Sequence, residues 1–386
     1  MKIAIVCGIF FPIPGGAQVQ VHNTANKLVE LGHEVDLFLY NPTNIKSNDY
    51  KTVLISKFLS SLVFFFKYYL KIDVSFILEI YFKKIIKKNK YDIWHFNLLN
   101  YKSLLIINTL KKLNQKIVVT FHGVDLQIDR KINYGYRLNK RYEECLLDNI
   151  NNVDLFLNIS PIIKKNLLSL GIDENKIIHL PNTIDKDKIQ KTINLNKKIE
   201  SKKLKLITVA RYDKKVKGYD YVEIVAKKLF DNKVNFLWTI IGDNTKRLNS
   251  KKFINENKDL FNIIENIGND DEKYFPNTKI IKEYLNSDIY VNLSRIESFG
   301  ITFIEAMACG LPIISFDAKS ANEVVVNNYN SFLITSDSLD DYVNELIQIS
   351  NNKNLLESKK SNLTKTIEKY DLNLVTSQLI NIYKKI

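Results

Sequence analysis

Apolar positions along the chain fall into two rhythms. Short continuous apolar runs occur at 3–7, 35–39, 93–96, 117–121, 155–159 and 177–180, and again at 206–209, 236–241, 263–267, 289–293 and 313–316. Runs of this length without polar alternation predict strands buried on both faces, as parallel strands are. The stretches between them carry a helical period. Val21, Ala25, Leu28 and Val29 form one such stripe, at i, i+4, i+7 and i+8, and Gly32 ends it. The end of the chain, from about 368 to 386, has a helical pattern too. Repeated strand–helix units predict parallel α/β sheets with right-handed crossovers. The series runs twice, and its break falls in 185–203, which is rich in Lys, Asn and Asp, as linkers are. The predicted class is therefore α/β, with two doubly wound parallel-sheet lobes at 1–190 and 191–367 and a cleft between them. The C-terminal helix, about 368–386, is free to pack back on the first lobe. Such sheets bind ligands beyond the carboxyl ends of their strands, where the strand order reverses. The loops that follow strands are where chemistry is expected.

Composition narrows the class. Of 386 residues, 45% are hydrophobic and 25% charged, which is globular and long enough for sizeable cores. Cys7, Cys145 and Cys309 are far apart and form no CxxC, so neither a disulfide framework nor a cysteine zinc site is expected, and a reducing compartment fits. Pro12 and Pro14 interrupt the first apolar run, and no small-x-small cleavage site follows, which argues against a signal peptide. The fattiest stretch, 58–66, is closed by Lys57 and Lys67. That is far below the ~18–20 residues that span a bilayer. The net charge of +14 is uneven: residues 1–200 carry 29 Lys and Arg against 18 Asp and Glu, and the remainder 27 against 24. The excess suits an anionic partner for the first half, and a general richness in lysine accounts for part of it.

Four loops carry candidate chemistry. The strongest runs from Ser294 to Pro312 and includes Glu297, Ser298, Phe299, Gly300, Glu305 and Gly310. It follows a strand, and Phe299-Gly300 should open a helix that ends at Gly310. Free N–H groups at a helix start point at anions, and Gly300 lets a phosphate come close. Glu297 in the loop and Glu305 in the second helical turn can face one ligand from two depths. A carboxylate suits vicinal sugar hydroxyls, because it accepts two hydrogen bonds and donates none. The second loop runs from Val209 to Gly218 and places Arg211 and Lys217 six residues apart. A planar fork and a point charge are what a diphosphate needs. The third, from Phe11 to Gln18, holds Gly15-Gly16 ahead of a helix, with spacing unlike the GxGxxG dinucleotide fingerprint. The fourth, Thr120-Phe-His-Gly-Val-Asp125, puts His122 at a strand's carboxyl end. No HxxxH or HExxH spacing occurs, so no metal site is predicted.

These motifs resemble the family 4 glycosyltransferases of the GT-B fold, whose signature is a pair of glutamates separated by seven residues. The resemblance spans almost the whole chain. It implies two Rossmann-like lobes and retaining transfer of a sugar from a nucleotide-sugar donor. It also implies that Glu297 contacts the transferred sugar, Glu305 the donor ribose, and Arg211 and Lys217 the diphosphate. His122 would touch the donor sugar. Gly16 would lie near the donor phosphate, Gly242 of Ile240-Ile-Gly-Asp243 near the base, and Ser298, Phe299 and Gly300 along the phosphates. No cofactor or metal is expected, the nucleotide sugar being a co-substrate. Departures from the family pattern are Ala210 for the usual Gly before the Arg, Thr183 for Gly in Leu180-Pro-Asn-Thr-Ile-Asp185, and 318–323 for a glycine-bearing loop before Glu323.

One feature remains outside these motifs. Residues 51–90 hold nine lysines against Asp73 and Glu79, interleaved with aromatics. Within it, about 57–90 suits peripheral contact with an anionic membrane, or two helices of the first lobe with solvated lysines. The reading is a hexosyl- or N-acetylhexosaminyltransferase using a UDP- or GDP-sugar and a glycan or lipid-linked acceptor. Its expected place is the cytoplasm, at the inner face of the plasma membrane, in bacterial surface polysaccharide synthesis. A non-catalytic sugar- or nucleotide-binding protein of the same fold is the alternative. The missing RNA and DNA motifs and the carboxylate-lined loops argue against a nucleic-acid partner.

Overall fold

The structure, a computed structural model, describes residues 1–11, 15–196, 201–265, 272–317, 323–335 and 338–386. The chain divides into two compact units, 1–182 with 373–386 and 183–372.

The first unit holds β1 (Lys2–Cys7), α1 (Gly16–Glu30), β2 (Glu34–Leu39), β3 (Lys51–Leu54), α2 (Lys57–Phe65), a π-helical turn (Phe66–Leu70) and α3 (Phe76–Lys88). It continues with β4 (Ile93–Asn97), α4 (Tyr101–Lys112), β5 (Ile117–Thr120), α5 (Lys140–Ile150), β6 (Leu155–Asn158), α6 (Pro161–Ser169) and β7 (Ile177–His179). The strands form a sheet in the order β3-β2-β1-β4-β5-β6-β7, parallel throughout. All five residues of β4 are buried, as a central parallel strand requires.

The second unit holds α7 (Lys186–Leu195), β8 (Leu204–Val209), α8 (Tyr219–Asp231), β9 (Phe236–Ile241), α9 (Lys252–Glu256), β10 (Phe261–Ile264) and α10 (Thr278–Leu285). Then come β11 (Ile289–Asn292), α11 (Ile301–Ala308), β12 (Ile313–Phe316), β13 (Ser331–Ile334), α12 (Leu339–Asn351) and α13 (Asn354–Glu368). Its strands, also parallel, take the order β10-β9-β8-β11-β12-β13. Leu206, Trp238, Ile240, Val291 and Ile314 meet α8 and α12 in one buried cluster, each large side chain contributing about 1.5–3 kcal/mol by leaving water. The last helix, α14 (Leu372–Lys385), belongs to the first unit from Asn373 onward. Its Tyr383 hydroxyl meets His95 Nδ1 on β4 at 2.6 Å.

Every apolar run read as a strand forms one. Two strands escaped that reading, β3 and β13, and both lie at sheet edges. An edge strand covers less apolar surface: in β3 only Val53 is even partly buried. The run 263–267 forms its strand earlier, at Phe261–Ile264, and 266–267 lie outside the described residues. The segment read as a linker contains α7, a correction. Asp185 caps it through Lys188 N at 3.0 Å, and Ile189 and Thr192 bury one narrow face. A helix with so thin a stripe reads like a solvated linker.

Candidate active site

In each sheet the strand order reverses once, between β1 and β4 and between β8 and β11. Loops diverge there, which opens room for a ligand at the carboxyl edge.

At β8/β11 the two loops are stapled together. Asp213 Oδ1 accepts from Lys215 N and Val216 N, both at 2.9 Å, and shapes the β8 loop. Across from it, Arg295 N donates to Val216 O at 2.9 Å. The Arg295 guanidinium donates to Lys214 O at 2.7 Å and forks onto Asp220 at 2.9 and 2.7 Å. It also stacks on Tyr221, 4.0 Å from the ring centre. Gly218 has φ +68, and a Cβ there would lie 2.0 Å from Leu293 O. Only glycine allows this approach. The staple delivers Lys217 Nζ to Glu297 Oε1 at 2.6 Å, with the two side chains 20% and 11% exposed. Thus the basic loop and the glutamate loop, 80 residues apart, meet at the switch point. Arg211, on the same β8 loop, is exposed and pairs with no carboxylate among the described residues. Gly242, at the end of β9, lets its strand close on the same loop: its Cβ would lie 2.0 Å from Ala210 O.

The second glutamate sits deeper. Glu305 on α11 is 6% exposed, and Tyr284 of α10 donates its hydroxyl to Glu305 Oε2 at 3.0 Å. Burial pushes this carboxyl up to about 7, while the Tyr284 hydrogen bond and the charge of Lys188 pull it down. Lys188 Nζ is itself held by Glu272, by Tyr274 O and, at 2.7 Å, by Pro276 O. Gly300 precedes α11 with φ +87, and a Cβ there would strike the Phe303 ring at 2.3 Å. The Phe299 ring is buried edge-on against Tyr370, 5.4 Å between centres, so it serves packing. Ser298 lies beside it in the same loop.

The first unit is built differently. Gly8 N donates to Asn97 O at 3.1 Å, and Asn100 Nδ2 donates to Gly8 O at 2.8 Å, tying the β1 and β4 loops. His122 Nε2 meets Asn97 Oδ1 at 3.0 Å. Asp125 Oδ1 accepts from His122 N at 3.0 Å and Gly123 N at 2.9 Å, and its Oδ2 from Leu99 N at 2.9 Å. Burial lowers His122 to about 4, which makes it a neutral imidazole near pH 7. Burial raises Asp125 to about 6, against the pull of those amides. Gly16 is the exposed first residue of α1. Part of the Phe11–Gln18 loop, residues 12–14, lies outside the described residues, as do 318–322 of the loop before Glu323.

The motifs therefore cluster by unit: Arg211, Lys217, Gly242, Ser298, Phe299, Gly300, Glu297 and Glu305 in the second, Gly16 and His122 in the first. The motif reading missed four supporting groups: Asn97, Asp125, Tyr284 and Lys188. Asp125 stands at the end of the His122 motif, and its sequence position alone gives it no role. Tyr284 and Lys188 reach the site from elements with no motif. Among the described residues no group of three or more His, Cys, Asp or Glu is placed to hold a metal.

The two halves each match a known family. Residues 14–188 match Glycosyltransferase Family 4, and residues 190–366 match Glycosyl transferases group 1. The chain belongs to the family 4 glycosyltransferases. This glycosyltransferase is 24% identical to the phosphatidyl-myo-inositol mannosyltransferase of Mycolicibacterium smegmatis, over all of this chain and 94% of that one. It is also 24% identical to an Escherichia coli UDP-Gal:alpha-D-GlcNAc-diphosphoundecaprenol alpha-1,3-galactosyltransferase, over 81% of this chain and 79% of the relative. Its fold resembles that of HepE from Anabaena, crystallised with UDP and glucose, with a TM-score of 0.73, 15% identity and full coverage of both chains. The glycosyltransferase thus has the GT-B fold of two parallel-sheet α/β units.

Proposed function

We propose that this glycosyltransferase moves a hexose or N-acetylhexosamine, with retention, from a UDP- or GDP-sugar to a glycan or lipid-linked acceptor in bacterial surface polysaccharide synthesis. The observation that carries the reading is the Lys217–Glu297 pair at the β8/β11 switch point. A cation and a carboxylate side by side there match the two ends of a nucleotide sugar's reacting bond. Lys217 and Arg211 take the diphosphate, and Glu297 orients the transferred sugar. Glu305 takes the ribose hydroxyls, and Gly242 lets the base pack at the end of β9. The main chain at Ser298, Phe299 and Gly300 faces the phosphates. From the first unit, Gly16 and the neutral His122 are assigned to the donor phosphate and sugar hydroxyls. Both relatives above are named for a lipid acceptor, which supports the acceptor class.

In the reaction, the bond from the anomeric carbon to the departing phosphate oxygen breaks. A bond to the acceptor hydroxyl oxygen forms on the same face, and the hydroxyl proton passes to the leaving phosphate. The protein's part is positioning and stabilisation of the diphosphate charge, with Arg and Lys in the place of a metal. Trapping a covalent glycosyl-enzyme would refute this front-face course.

The membrane side of the reading rests on α2, the π-helical turn and α3. Val63, Tyr68, Leu78 and Phe82 face the core, while Phe58, Phe65, Tyr69, Leu70, Ile72, Phe76 and Ile80 are exposed, Phe58 at 70%. Exposed Lys57, Lys71, Lys83, Lys84 and Lys87 accompany them. Such a face suits an anionic bilayer surface; among the described residues no helix is long and apolar enough to cross one. Flotation with anionic vesicles should carry the protein upward, and a protein left in the soluble fraction would remove this part.

The donor site is tested by thermal shift against UDP, GDP, ADP and their sugars, with Lys217→Ala and Glu305→Ala alongside. One nucleotide should stabilise the wild type and neither variant. A folded wild type that no nucleotide stabilises overturns the reading.

A further inference from the structure

We propose that Tyr284 is a positioning residue for the donor site, fixing the Glu305 carboxylate with one oxygen tied and the other presented to the ribose. The inference rests on the reading in which Glu305 receives the ribose hydroxyls.

Tyr284 and Glu305 come from different helices, α10 and α11, and the tyrosine ring is fully buried. Its hydroxyl donates to Oε2 at 3.0 Å. The other oxygen, Oε1, has no hydrogen-bond partner among the described residues. A buried carboxylate that is to accept from vicinal hydroxyls must stay ionised and must not rotate. A single donor on the far oxygen meets both needs, because it favours the charged form and fixes the plane of the carboxylate. Burial drives the Tyr284 hydroxyl far above its ordinary pKa, so it keeps its proton and remains a donor. Tyr290 of β11 packs 6.2 Å from the Tyr284 ring, and its own hydroxyl is spent on Val209 O and Thr302 Oγ1 at 3.1 and 2.8 Å. The other titratable groups that act on Glu305 are Cys309, just past α11, and Lys188 of α7. The Cys309 thiol is held neutral by burial, and Lys188 is committed to Glu272 and two carbonyls. Tyr284 is thus the direct donor to Glu305 among the described residues.

The test is the affinity for the nucleoside diphosphate that binds the wild type most tightly, measured from pH 6 to pH 9 in wild type, Tyr284→Phe and Glu305→Gln. In the wild type, affinity should rise with pH as the Glu305 carboxyl ionises. Tyr284→Phe keeps the ring and removes one oxygen. Binding should weaken about tenfold near pH 7, the loss of one charge-assisted hydrogen bond, and recover to within about threefold at pH 9, because the midpoint moves upward. A purely structural role would weaken binding equally at every pH, and that result overturns the proposal. So does a Tyr284→Phe profile that overlays the wild type while Glu305→Gln is weak. If Glu305→Gln binds as the wild type does, the assignment of Glu305 fails first, and this inference with it. Should Tyr284→Phe not fold, 3-fluorotyrosine placed at 284 is a stronger donor of the same shape and must move the midpoint downward; an unmoved midpoint again overturns it.

Discussion

The two switch points share a backbone plan and differ in chemistry. In both, a glycine lies against the first carbonyl past the neighbouring strand, Gly8 directly after β1 and Gly218 directly before α8. A Cβ on Gly8 would sit 2.1 Å from Leu98 O, and one on Gly218 would sit 2.0 Å from Leu293 O. At β8/β11 the loops then carry charge: the Arg295–Asp220 fork, the Lys217–Glu297 pair and the exposed Arg211. At β1/β4 and the end of the adjoining β5 the side chains tied together are neutral and polar: Asn97, Asn100 and a His122 that burial keeps uncharged. The carboxylate beside His122, Asp125, is wrapped by three amides and faces the backbone. A diphosphate needs cations that survive partial burial, and sugar hydroxyls need donors and acceptors that bring no net charge. One fold supplies a charged and a neutral set of groups because the loops, not the strands, set the chemistry.

The comparison breaks most decisively at Lys217. If the second switch point handles the leaving diphosphate, Lys217→Ala should lower kcat/KM by about 10²–10³, as loss of one preorganised charge-stabilising donor does. Rates measured with the donor that the nucleotide panel identifies would check it. A fall smaller than about tenfold would leave the charged loops without their role. The shared backbone plan is tested next. Gly218→Ala and Gly8→Ala each force a Cβ onto a carbonyl, and each should cost about 2 kcal/mol or more. For units of this size that is roughly 4–8 °C in melting temperature. Gly32→Ala is the control for crowding, since a Cβ there meets nothing within 4 Å, and its φ of +82 leaves only the conformational cost. If Gly218→Ala melts no lower than Gly32→Ala, the close approach does not hold the loop.

The central strands were legible because burial on both faces writes itself as continuous apolar runs. β3 was not, because only Val53 of its four residues is even partly buried, and β13 was not, because only the three residues Phe332–Ile334 make up its apolar run. The loops at β8/β11 stood out as candidates, since Arg211, Lys217, Glu297 and Glu305 stand in motifs with fixed spacing. What the motifs could not carry was the pairing of Lys217 with Glu297. That contact depends on the order of β8 and β11 in the sheet and on Gly218, Asp213 and Arg295, none of which signals a partner by itself. Tyr284 was illegible for a related reason. A tyrosine among the apolar positions of α10 reads as core, and its hydroxyl acquires a task only when α11 packs beside it. Lys188 was hidden further, in a segment whose composition resembles a linker.

The smallest effect is the sharpest for the contrast of charged and neutral sites. His122→Ala should lower kcat/KM by about 10–100-fold, the range of one or two hydrogen bonds to a substrate. The shape of the pH profile matters more than the size of the loss. His122 ionises near 4 rather than 6.5, because burial disfavours the imidazolium. Its proton is taken up only as pH falls well below 6.5, so the stability that depends on the neutral ring is lost toward pH 4 and is intact above 6.5. Between pH 5.5 and pH 8 it therefore contributes no break in kcat/KM, and the wild type and His122→Ala should run parallel on a logarithmic plot. A wild-type break near 6.5 that vanishes in His122→Ala would mean that the imidazolium forms at this site. The first switch point would then carry charge as the second does, and the division between a charged and a neutral switch point would not hold.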